Sequence, residues 1–303
     1  MTLLGGMTVE DVSRHLKMSW HTIKEIDKTY LKQHYSKPRL KDAEYLAIDE
    51  FAYKKGHKYK TVVYDLQSGC ALYVGEGRKA EALDKFWKRL KSSGAKVKAV
   101  ATDMWEAYWG SVIRNLPGAI VVFDLFHIVK QYNKCLDDIR IGLYRQETDL
   151  NKRRLIKGTK WLLLKNQENL NQEKKSVNQK SEADQLAEAL SINMPLATAY
   201  YLKDELKEIW KKPNIKEASK ALDSWIAKAE TTLLIPLKKF CNLLRGHRSG
   251  ILSWFKHPIS TGPLEGFNNK IKVLKRKAYG YRDEEYFELK ILSLHINRYE
   301  LLR

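Results

Sequence analysis

Three acidic residues, Asp49, Asp103 and Glu265, stand where metal-dependent chemistry could be built. Asp49 lies inside an otherwise apolar segment, where a carboxylate is costly to bury unless it is paired or bound to a metal. Asp103 ends a second short apolar run, and Glu265 opens a basic helix-like run. Mg²⁺ accepts carboxylate oxygens, and two such ions about 3.5–4 Å apart can activate an attacking oxygen and stabilise a leaving one. Each acid taken alone is more often a helix cap or a surface group, so such a site requires the fold to bring the three together.

The segment around Glu265 reads GPLEGFNNKIKVLKRKAYGYR over residues 262–282. From Gly266 to Arg282 it holds six lysines or arginines and no acid. Ile271 and Leu274 are predicted to pack inward, which spreads the cations around the exposed part of a helix. Contact with a phosphate backbone is favoured over base reading. The cations predicted to make it are Lys270, Lys272, Lys275, Arg276 and Lys277.

Other polar and aromatic residues keep two interpretations. His57, in the basic turn KKGHK, either faces nucleic acid or is merely solvated. Trp105 and Trp109 follow the second acid at helical spacing; core packing is the default interpretation and base stacking the alternative. Asn268 and Asn269 either bond a phosphate or a base, or support the segment that carries the third acid.

The charge balance indicates a polyanionic partner. The 303 residues carry a net charge of +19 and a pI near 9.6, which favours nucleic acid, although a merely basic protein or one that binds acidic lipid would look alike. Cys70, Cys135 and Cys241 are far apart, which argues against a zinc ribbon or a disulfide framework and fits a reducing compartment. The chain has no long apolar stretch and no signal-peptide pattern, so we expect a soluble cytoplasmic protein.

The elements that must position the three acids begin with a helical hairpin. Residues 8–33 predict two short helices, with Thr8 and Asp11 forming a capping box and Ser19 capping the second helix. A tight turn between two such helices is typical of a helix-turn-helix, and an ordinary helical hairpin is the alternative. The apolar residues expected between the helices are Val9, Val12, Leu16, Trp20, Ile23 and Ile26.

The middle of the chain predicts an α/β core. Apolar runs with turn signals give three strands that form an antiparallel meander, and helical spacing then alternates with two further short strands. The order βββαβαβα is that of a ribonuclease H-like mixed sheet. Asp49 and Glu50 would face opposite sides of the first strand, because side chains alternate along a strand. The predicted strands are residues 44–53, 59–66, 70–77, 97–102 and 119–123.

The sheet pattern is interrupted before the third acid. Residues 147–246 show helical patterns and a polar, lysine-rich stretch, and they predict an all-helical insertion. The domain organisation is therefore expected to be a helix-turn-helix over 1–40, the first part of the core over 41–146, the insertion over 147–246 and the rest of the core over 247–303. This arrangement would bring the third acid back to the sheet from far along the chain.

Four segments together resemble the ISL-three (ISL3) insertion-sequence transposases of bacteria, which belong to the DDE transposases. They read AIDEFAYKKGHKYKTVVYDLQSG, VKAVATDMWEAYW, VVFDLFHIVKQYNKCLDDIR and GPLEGFNNKIKVLKRKAYGYRD, and the resemblance extends over residues 40–303. It implies that Asp49, Asp103 and Glu265 are the catalytic D, D and E, and that they bind two Mg²⁺ or Mn²⁺ ions. The family further implies cleavage of transposon ends by water, attack of the freed 3′-hydroxyl on target DNA, and a homo-oligomer assembled on DNA.

The resemblance also bears on His127. Residues 124–127, DLFH, are similar to the C/D-x-x-H signature of several DDE groups. The resemblance would then make His127 a fourth residue of the catalytic site, where it contacts a phosphate or positions DNA near the scissile bond; a buried, hydrogen-bonded histidine is the other interpretation.

Two departures from the family leave alternatives to a working transposase. Members usually carry a cysteine-rich zinc-binding segment before the helix-turn-helix, and this chain is expected to start after that point. Thr261 stands where the family pattern has Asn. A shortened DNA-binding remnant without transposition activity and a related metal-dependent nuclease are the two alternatives.

Overall fold

The computed structural model describes residues 3–54, 56–173 and 180–294. The chain divides into two units. The first comprises the described residues up to Asp124 and from His257 onward, and the second is Leu125–Lys256. Among the described residues, no helix is both long and apolar enough to cross a membrane.

The first unit is built on one five-stranded sheet, ordered β3-β2-β1-β4-β5. β1 pairs antiparallel with β2, which pairs antiparallel with β3, whereas β1 pairs in parallel with β4 and β4 with β5. A meander followed by two helix-linked parallel strands is the ribonuclease H-like mixed sheet predicted from the sequence, and this prediction is confirmed. The strands are β1 (Tyr45–Lys54), β2 (Lys58–Asp65), β3 (Cys70–Glu76), β4 (Ala99–Thr102) and β5 (Ile120–Phe123).

The helices of the described residues are numbered in chain order. Before the second unit come α1 (Leu3–Gly6), α2 (Val9–Leu16), α3 (Trp20–Tyr35), α4 (Asp84–Ser93) and α5 (Glu106–Asn115). The second unit holds α6 (Leu125–Gln146), α7 (Leu150–Gly158), α8 (Lys160–Leu164), α9 (Glu182–Ser191), α10 (Met194–Lys207), α11 (Ile215–Glu230), α12 (Ile235–Gly246) and α13 (Arg248–Leu252). The first unit is completed by α14 (Gly262–Lys277) and α15 (Glu284–Ser293).

Each face of the sheet carries its own core. On one face, Ile48 and Val63 pack with Phe86 and Trp87 of α4 and with helix α5. Because side chains alternate along β1, its other residues form the opposite face. There, buried strand residues pack with side chains of α14 and α15; the cluster includes Ala47, Phe51, Val62, Leu264, Phe267, Ile271 and Phe287. Asp49 therefore lies on the α14 side of the sheet and Glu50 on the α5 side, as predicted.

The N-terminal helices form a hairpin with the predicted caps. Thr8 and Asp11 make a reciprocal capping box at α2, and Ser19 accepts a hydrogen bond from the Thr22 backbone at the start of α3. Lys17 ends α2 in the left-handed conformation, with φ of 52°, which gives the tight turn.

The apolar interface predicted within this hairpin is partly wrong. Val12 and Ile23 are buried, but Leu16, Trp20 and Ile26 are 46%, 48% and 49% exposed. The physical reason is that α3 turns a different stripe inward: Leu31 and Tyr35 continue from Ile23 at helical spacing and pack against Tyr286 and Leu289 of α15.

Charged residues also hold the hairpin to the rest of the first unit. Lys24 and Lys28 donate to Asp283, with Nζ–Oδ2 distances of 2.6 and 3.0 Å. The buried Asp27 accepts from the Tyr286 hydroxyl at 2.5 Å and from Lys290 at 2.7 Å. The segment predicted as a helix-turn-helix over 1–40 therefore packs, in its described residues, into the first unit.

Every regular element described in the second unit is a helix. Tyr132 of α6 is buried against Trp225 and Phe240, and its hydroxyl donates to the Ala199 carbonyl at 2.6 Å. Because α6 packs on α10 and α12, this unit starts at Leu125, earlier than the insertion predicted over 147–246.

Candidate active site

The register of the parallel strands places two of the predicted acids side by side. Ile48 of β1 lies opposite Thr102 of β4, so the next positions, Asp49 and Asp103, are neighbours where β4 ends. Both acids are half-buried. The Asp103 carboxylate accepts a hydrogen bond from the Trp105 backbone at 3.0 Å, which fixes the turn that leads into α5.

A third acid, Asp124, continues the same row. Phe123 of β5 lies opposite Thr102 of β4, and Asp124 follows it directly. Asp124 is buried, and its Oδ2 accepts hydrogen bonds from both the backbone nitrogen and the hydroxyl of Thr261, at 2.9 and 2.6 Å. Thr261 immediately precedes α14, so Asp124 anchors the beginning of that helix to the edge of the sheet.

Helix α14 carries Glu265 in its first turn. Pro263 stands at the helix start, where its fixed φ and missing N–H cost nothing. Leu264, Phe267 and Ile271 hold the helix on the sheet. Glu265 itself is exposed.

Asn268 connects α14 to the first acid. It is 6% exposed, and its Nδ2 donates to Oδ2 of Asp49 at 2.9 Å. Residues three apart in a helix are neighbours on its surface, so Glu265 lies one turn before the residue that contacts Asp49. Of the two interpretations kept open for Asn268, the structure therefore favours support of the Glu265 segment.

The oxygen atoms around Asp49 suit a hard cation, although the three predicted acids do not form a closed cage. Among the described residues, no group of three or more His, Cys, Asp or Glu side chains is arranged to hold a metal. Oδ1 of Asn268 is buried and has no hydrogen-bond partner in the described part of the chain. An amide oxygen without a donor, beside a carboxylate, is chemically matched to Mg²⁺ or to a water bound to it.

Glu50 takes a different environment from Asp49. It borders Tyr108 of α5 on the opposite face of the sheet. Burial raises the pKa of the Tyr108 hydroxyl far above its usual value, and the charge of Glu50 adds to that effect. Glu50 is therefore not a member of the row that holds Asp49 and Asp103.

The predicted cations of α14 fall on two sides of the helix. Lys270 and Lys277 line a groove that they share with the N-terminal hairpin. Lys272, Lys275 and Arg276 line a smaller cavity along β1. Between the two sets lie the inward residues, of which Ile271 is buried and Leu274 half-buried, as predicted.

The two histidines lie in different units. His57 is exposed at the tip of the β1–β2 turn, in a left-handed conformation with φ of 58°, and its ring stacks on Tyr59. His127 lies in the first turn of α6, half-buried, with its ring centroid 5.4 Å from that of Phe126. A role in DNA contact stays a prediction for both.

Sequence reasoning singled out Trp105 but missed the cation and the second ring that accompany it, Arg78 and Tyr59. The Arg78 guanidinium lies 4.7 Å from the Tyr59 ring centroid and 5.7 Å from that of Trp105. Trp105 is 49% exposed, so core packing, its default interpretation, is wrong, whereas Trp109 is half-buried. No sequence signal links Arg78 to Trp105, because the two meet only through the packing of neighbouring elements.

Known proteins resemble this chain over most of its length. The profile of the DDE_Tnp_ISL3 family, described as "Transposase", matches residues 46–291. The transposase of insertion sequence element IS1001 from Bordetella parapertussis is 41% identical over 292 residues, which are 95% of this chain and 70% of that protein. The transposase of IS1557 from Mycobacterium tuberculosis is 26% identical over 82% of this chain and 59% of its own length. The Drosophila P element transposase strand transfer complex aligns with a TM-score of 0.39 and 11% identity, over 86% of this chain and 78% of that chain.

Proposed function

The chain belongs to the ISL3 family of DDE transposases, and we propose that its Asp49, Asp103 and Glu265 cut the ends of an insertion sequence and join them to target DNA. One observation carries the assignment of these residues. Asp49 and Asp103 are register neighbours at the end of β4, and Asn268, one turn beyond Glu265, donates to Asp49. The single α14 helix thus supplies both the third carboxylate and a fixed contact to the first.

Divalent ions, Mg²⁺ or Mn²⁺, would supply activation of the attacking oxygen and stabilisation of the leaving oxygen. Asp49 and Asp103 would hold two such ions from the sheet, and Glu265 would complete the set from the helix. The Asn268 amide would orient the Asp49 carboxylate through the hydrogen bond that its Nδ2 donates. Lysines and arginines of α14 would hold the phosphate backbone.

Two reactions would follow at this site. In the first, a water oxygen bonds to phosphorus at the transposon end, the P–O3′ bond breaks, and the oxygen leaves as a 3′-hydroxyl. In the second, that hydroxyl attacks a phosphorus of target DNA and displaces another 3′-oxygen. No covalent bond between protein and DNA forms in either step. His127 and His57 would contact DNA without taking part in bond exchange, and the cytoplasm, where bacterial DNA lies, is the compartment this activity requires.

Replacing Asp103 with Asn tests the proposal. The Asp103→Asn variant keeps the shape of the side chain but loses its charge, so it should abolish metal-dependent nicking and strand transfer while DNA binding persists. The measurement is joining of pre-cut, labelled transposon ends to a plasmid, which bypasses recognition of uncut ends. Asp84→Asn, an exposed acid at the start of α4, removes the same charge elsewhere in the unit and should keep activity.

The other possible outcomes of this experiment distinguish the alternatives. Joining by Asp103→Asn at the parent rate would refute the site assignment. Cleavage by the parent protein without joining would indicate a related nuclease, and DNA binding without nicking of pre-cut ends would indicate a remnant.

A further inference from the structure

The cations of α14 line two cavities on different sides of the helix, which meet at Tyr279 and Gly280 just beyond its end. A helix advances 100° per residue, so Lys270, Val273 and Lys277 form one stripe, and Lys272 and Arg276 form another. The second stripe is the row of Glu265, since Lys272 and Arg276 follow it by whole numbers of turns. The inward residues Leu264, Phe267 and Ile271 are buried, so they separate the two stripes of cations on the side of the helix that faces the sheet.

The first stripe lines a groove of about 1500 Å³, which we call the hairpin groove. Its opposite wall comes from the N-terminal hairpin, including Arg14 and Trp20. Gly266 and Asn269 also line it, so one end of the groove borders Glu265.

The chemistry of the hairpin groove suits a DNA strand. Lys270, Lys277 and Arg282 make no hydrogen bond or ion pair with other described residues. Trp20 is 48% exposed and Tyr279 is fully exposed, which offers two ring faces for base stacking.

The acids of the same groove do not oppose an anionic ligand. Glu10 pairs with Arg14, Asp11 accepts from the Thr8 cap, and Asp283 accepts from the lysines of α3. The charges of Glu10 and Asp283 are thus compensated by cations, and Asp11 is engaged in the cap of α2.

The second stripe lines a cavity of about 480 Å³, which we call the strand-side cavity. Its cations are Lys272, Lys275 and Arg276, and its other wall is Phe51 and Ala52 of β1. Among the described residues, none of the N-terminal hairpin lines this cavity, whereas Tyr279 and Gly280 line both cavities. Where no neighbouring element contacts the bases, lysines and arginines bind the phosphates of DNA whatever the base sequence.

We propose that α14 separates two DNA segments, with the transposon end in the hairpin groove and the target DNA on the strand-side cavity. This inference rests on the proposed function. The end must be recognised by sequence and shares its groove with the hairpin, whereas a target of any sequence needs only phosphate contacts. The hairpin groove borders Glu265 through Gly266 and Asn269, and Lys272 and Arg276 of the strand-side cavity lie along the row of α14 that begins at Glu265. Both surfaces therefore lead toward Glu265, where end and target must meet for joining.

Two matched pairs of substitutions test the division. Lys270→Gln with Lys277→Gln removes two charges from the hairpin groove, and Lys272→Gln with Lys275→Gln removes two from the strand-side cavity. Binding is measured with EDTA present, using a fluorescent duplex from the inverted repeat that brackets the coding region. The first pair should lower the slope of log affinity against log salt by about 2, since each phosphate contact contributes roughly 0.9. The second pair should leave this slope unchanged.

Target capture supplies the reverse comparison. Protein saturated with end DNA is titrated with a labelled duplex of shuffled sequence, again without metal. The second pair should weaken capture at least tenfold, and the first pair should leave it unchanged once ends are saturating. Trp20→Ala, an exposed side chain whose loss leaves the core intact, should weaken end binding alone.

The inference is overturned if both pairs lower end binding equally, if neither changes either binding step, or if their effects are exchanged. Because both assays are free of chemistry, they remain informative if the parent protein fails to nick DNA. That failure would refute the catalytic proposal, whereas equal effects of the two pairs would refute only the division of surfaces.

Discussion

Asn268 holds Asp49 from the helix that carries Glu265. A buried amide that orients a carboxylate near a metal acts in the same way as the outer partners of metal ligands, whose loss commonly lowers metal affinity or activity about 10–100-fold. We therefore propose Asn268 as a positioning residue. The next residue, Asn269, is exposed, and its side chain accepts a hydrogen bond from Lys272. The two amides therefore have different hydrogen-bond partners.

Asn268→Ala should therefore raise the Mg²⁺ concentration needed for half-maximal strand transfer by about tenfold or more. The measurement is the rate of joining of pre-cut ends across a Mg²⁺ titration. Asn269→Ala is the control and should leave the Mg²⁺ dependence unchanged. A variant at 268 that lost activity equally at every Mg²⁺ concentration would contradict the positioning role.

The hydrogen bonds from Thr261 to Asp124 make a second prediction at the scale of one residue. Thr261→Val keeps the side-chain shape but removes the hydroxyl that donates to Asp124 at 2.6 Å. Loss of a buried hydrogen bond to a carboxylate should lower the free energy of unfolding by about 1–3 kcal/mol, and the joining rate should fall because the start of α14 is less firmly held.

Thr261→Ser keeps the donor and provides the control for that change. It should restore both the urea midpoint and the joining rate to near the parent values. If Thr261→Val unfolds at the parent midpoint, Asp124 does not anchor α14 through this hydroxyl.

The positions of the acids in the sheet could be predicted from the sequence more completely than the residues that contact them. Asp49, Asp103 and the opposite facing of Glu50 follow from strand alternation and from the position of strand ends. Asn268 carried a signal, since it stands three residues after Glu265, but the identity of its partner depends on how α14 lies along β1. Arg78 had no signal, because its ring contacts join residues of separate elements.

At the scale of elements, the packing of the N-terminal hairpin on the first unit depends on acidic residues at the start of α15. Burial alone would raise the pKa of Asp283, but the hydrogen bonds from Lys24, the Tyr286 backbone and Lys28 outweigh it and hold that pKa well below its usual value. Lys28 and Lys32 likewise lower the pKa of Glu285. A carboxyl whose folded pKa is depressed contributes stability above its unfolded pKa and loses it as the pH falls toward the folded value.

Acid should therefore loosen the hairpin before the sheet. Below about pH 4, where unpaired Asp and Glu begin to bind protons, the free energy of unfolding should fall, and amide exchange in α3 should speed up first. Asp283→Asn should remove part of this pH dependence and should make α3 exchange faster already at neutral pH. The matched control is Asp42→Asn, which breaks the exposed pair with Arg39; equal exchange in the two variants would show that Asp283 does not hold the hairpin.

The hairpin also shows why helices are easier to predict from the sequence than the residues against which they pack. Both caps and both helices were predictable from Thr8, Asp11 and Ser19. The packed face was not, because Asp27 lies on it: a buried acid weakens an apolar stripe, and only its partners Tyr286 and Lys290 make its burial acceptable.

At the scale of the whole molecule, one chain supplies one set of Asp49, Asp103 and Glu265, whereas an insertion sequence has two ends. We expect at least two chains to assemble when ends are bound. Mass measurement of the protein with and without pre-cut ends should show the increase, and a control with shuffled duplex should not. Concerted joining of both ends by a complex that contains one chain would contradict this expectation.

The division into two units was only partly readable along the chain. The helical character of the middle region followed from its pattern, but the membership of α6 depended on Tyr132, whose partners Trp225 and Phe240 come much later in the sequence. Local periodicity predicts that a helix forms but does not predict which other elements the helix packs against.

The return of the chain to the first unit at His257 has a consequence for synthesis on the ribosome. All five strands emerge before the second unit, yet Ala47, Phe51 and Val62 wait for Leu264 and Phe267 to cover them. A nascent chain stopped anywhere before α14 has an uncovered sheet and lacks both Glu265 and the anchor of its N-terminal hairpin. This face of the sheet can therefore be covered only after the final segment has been translated.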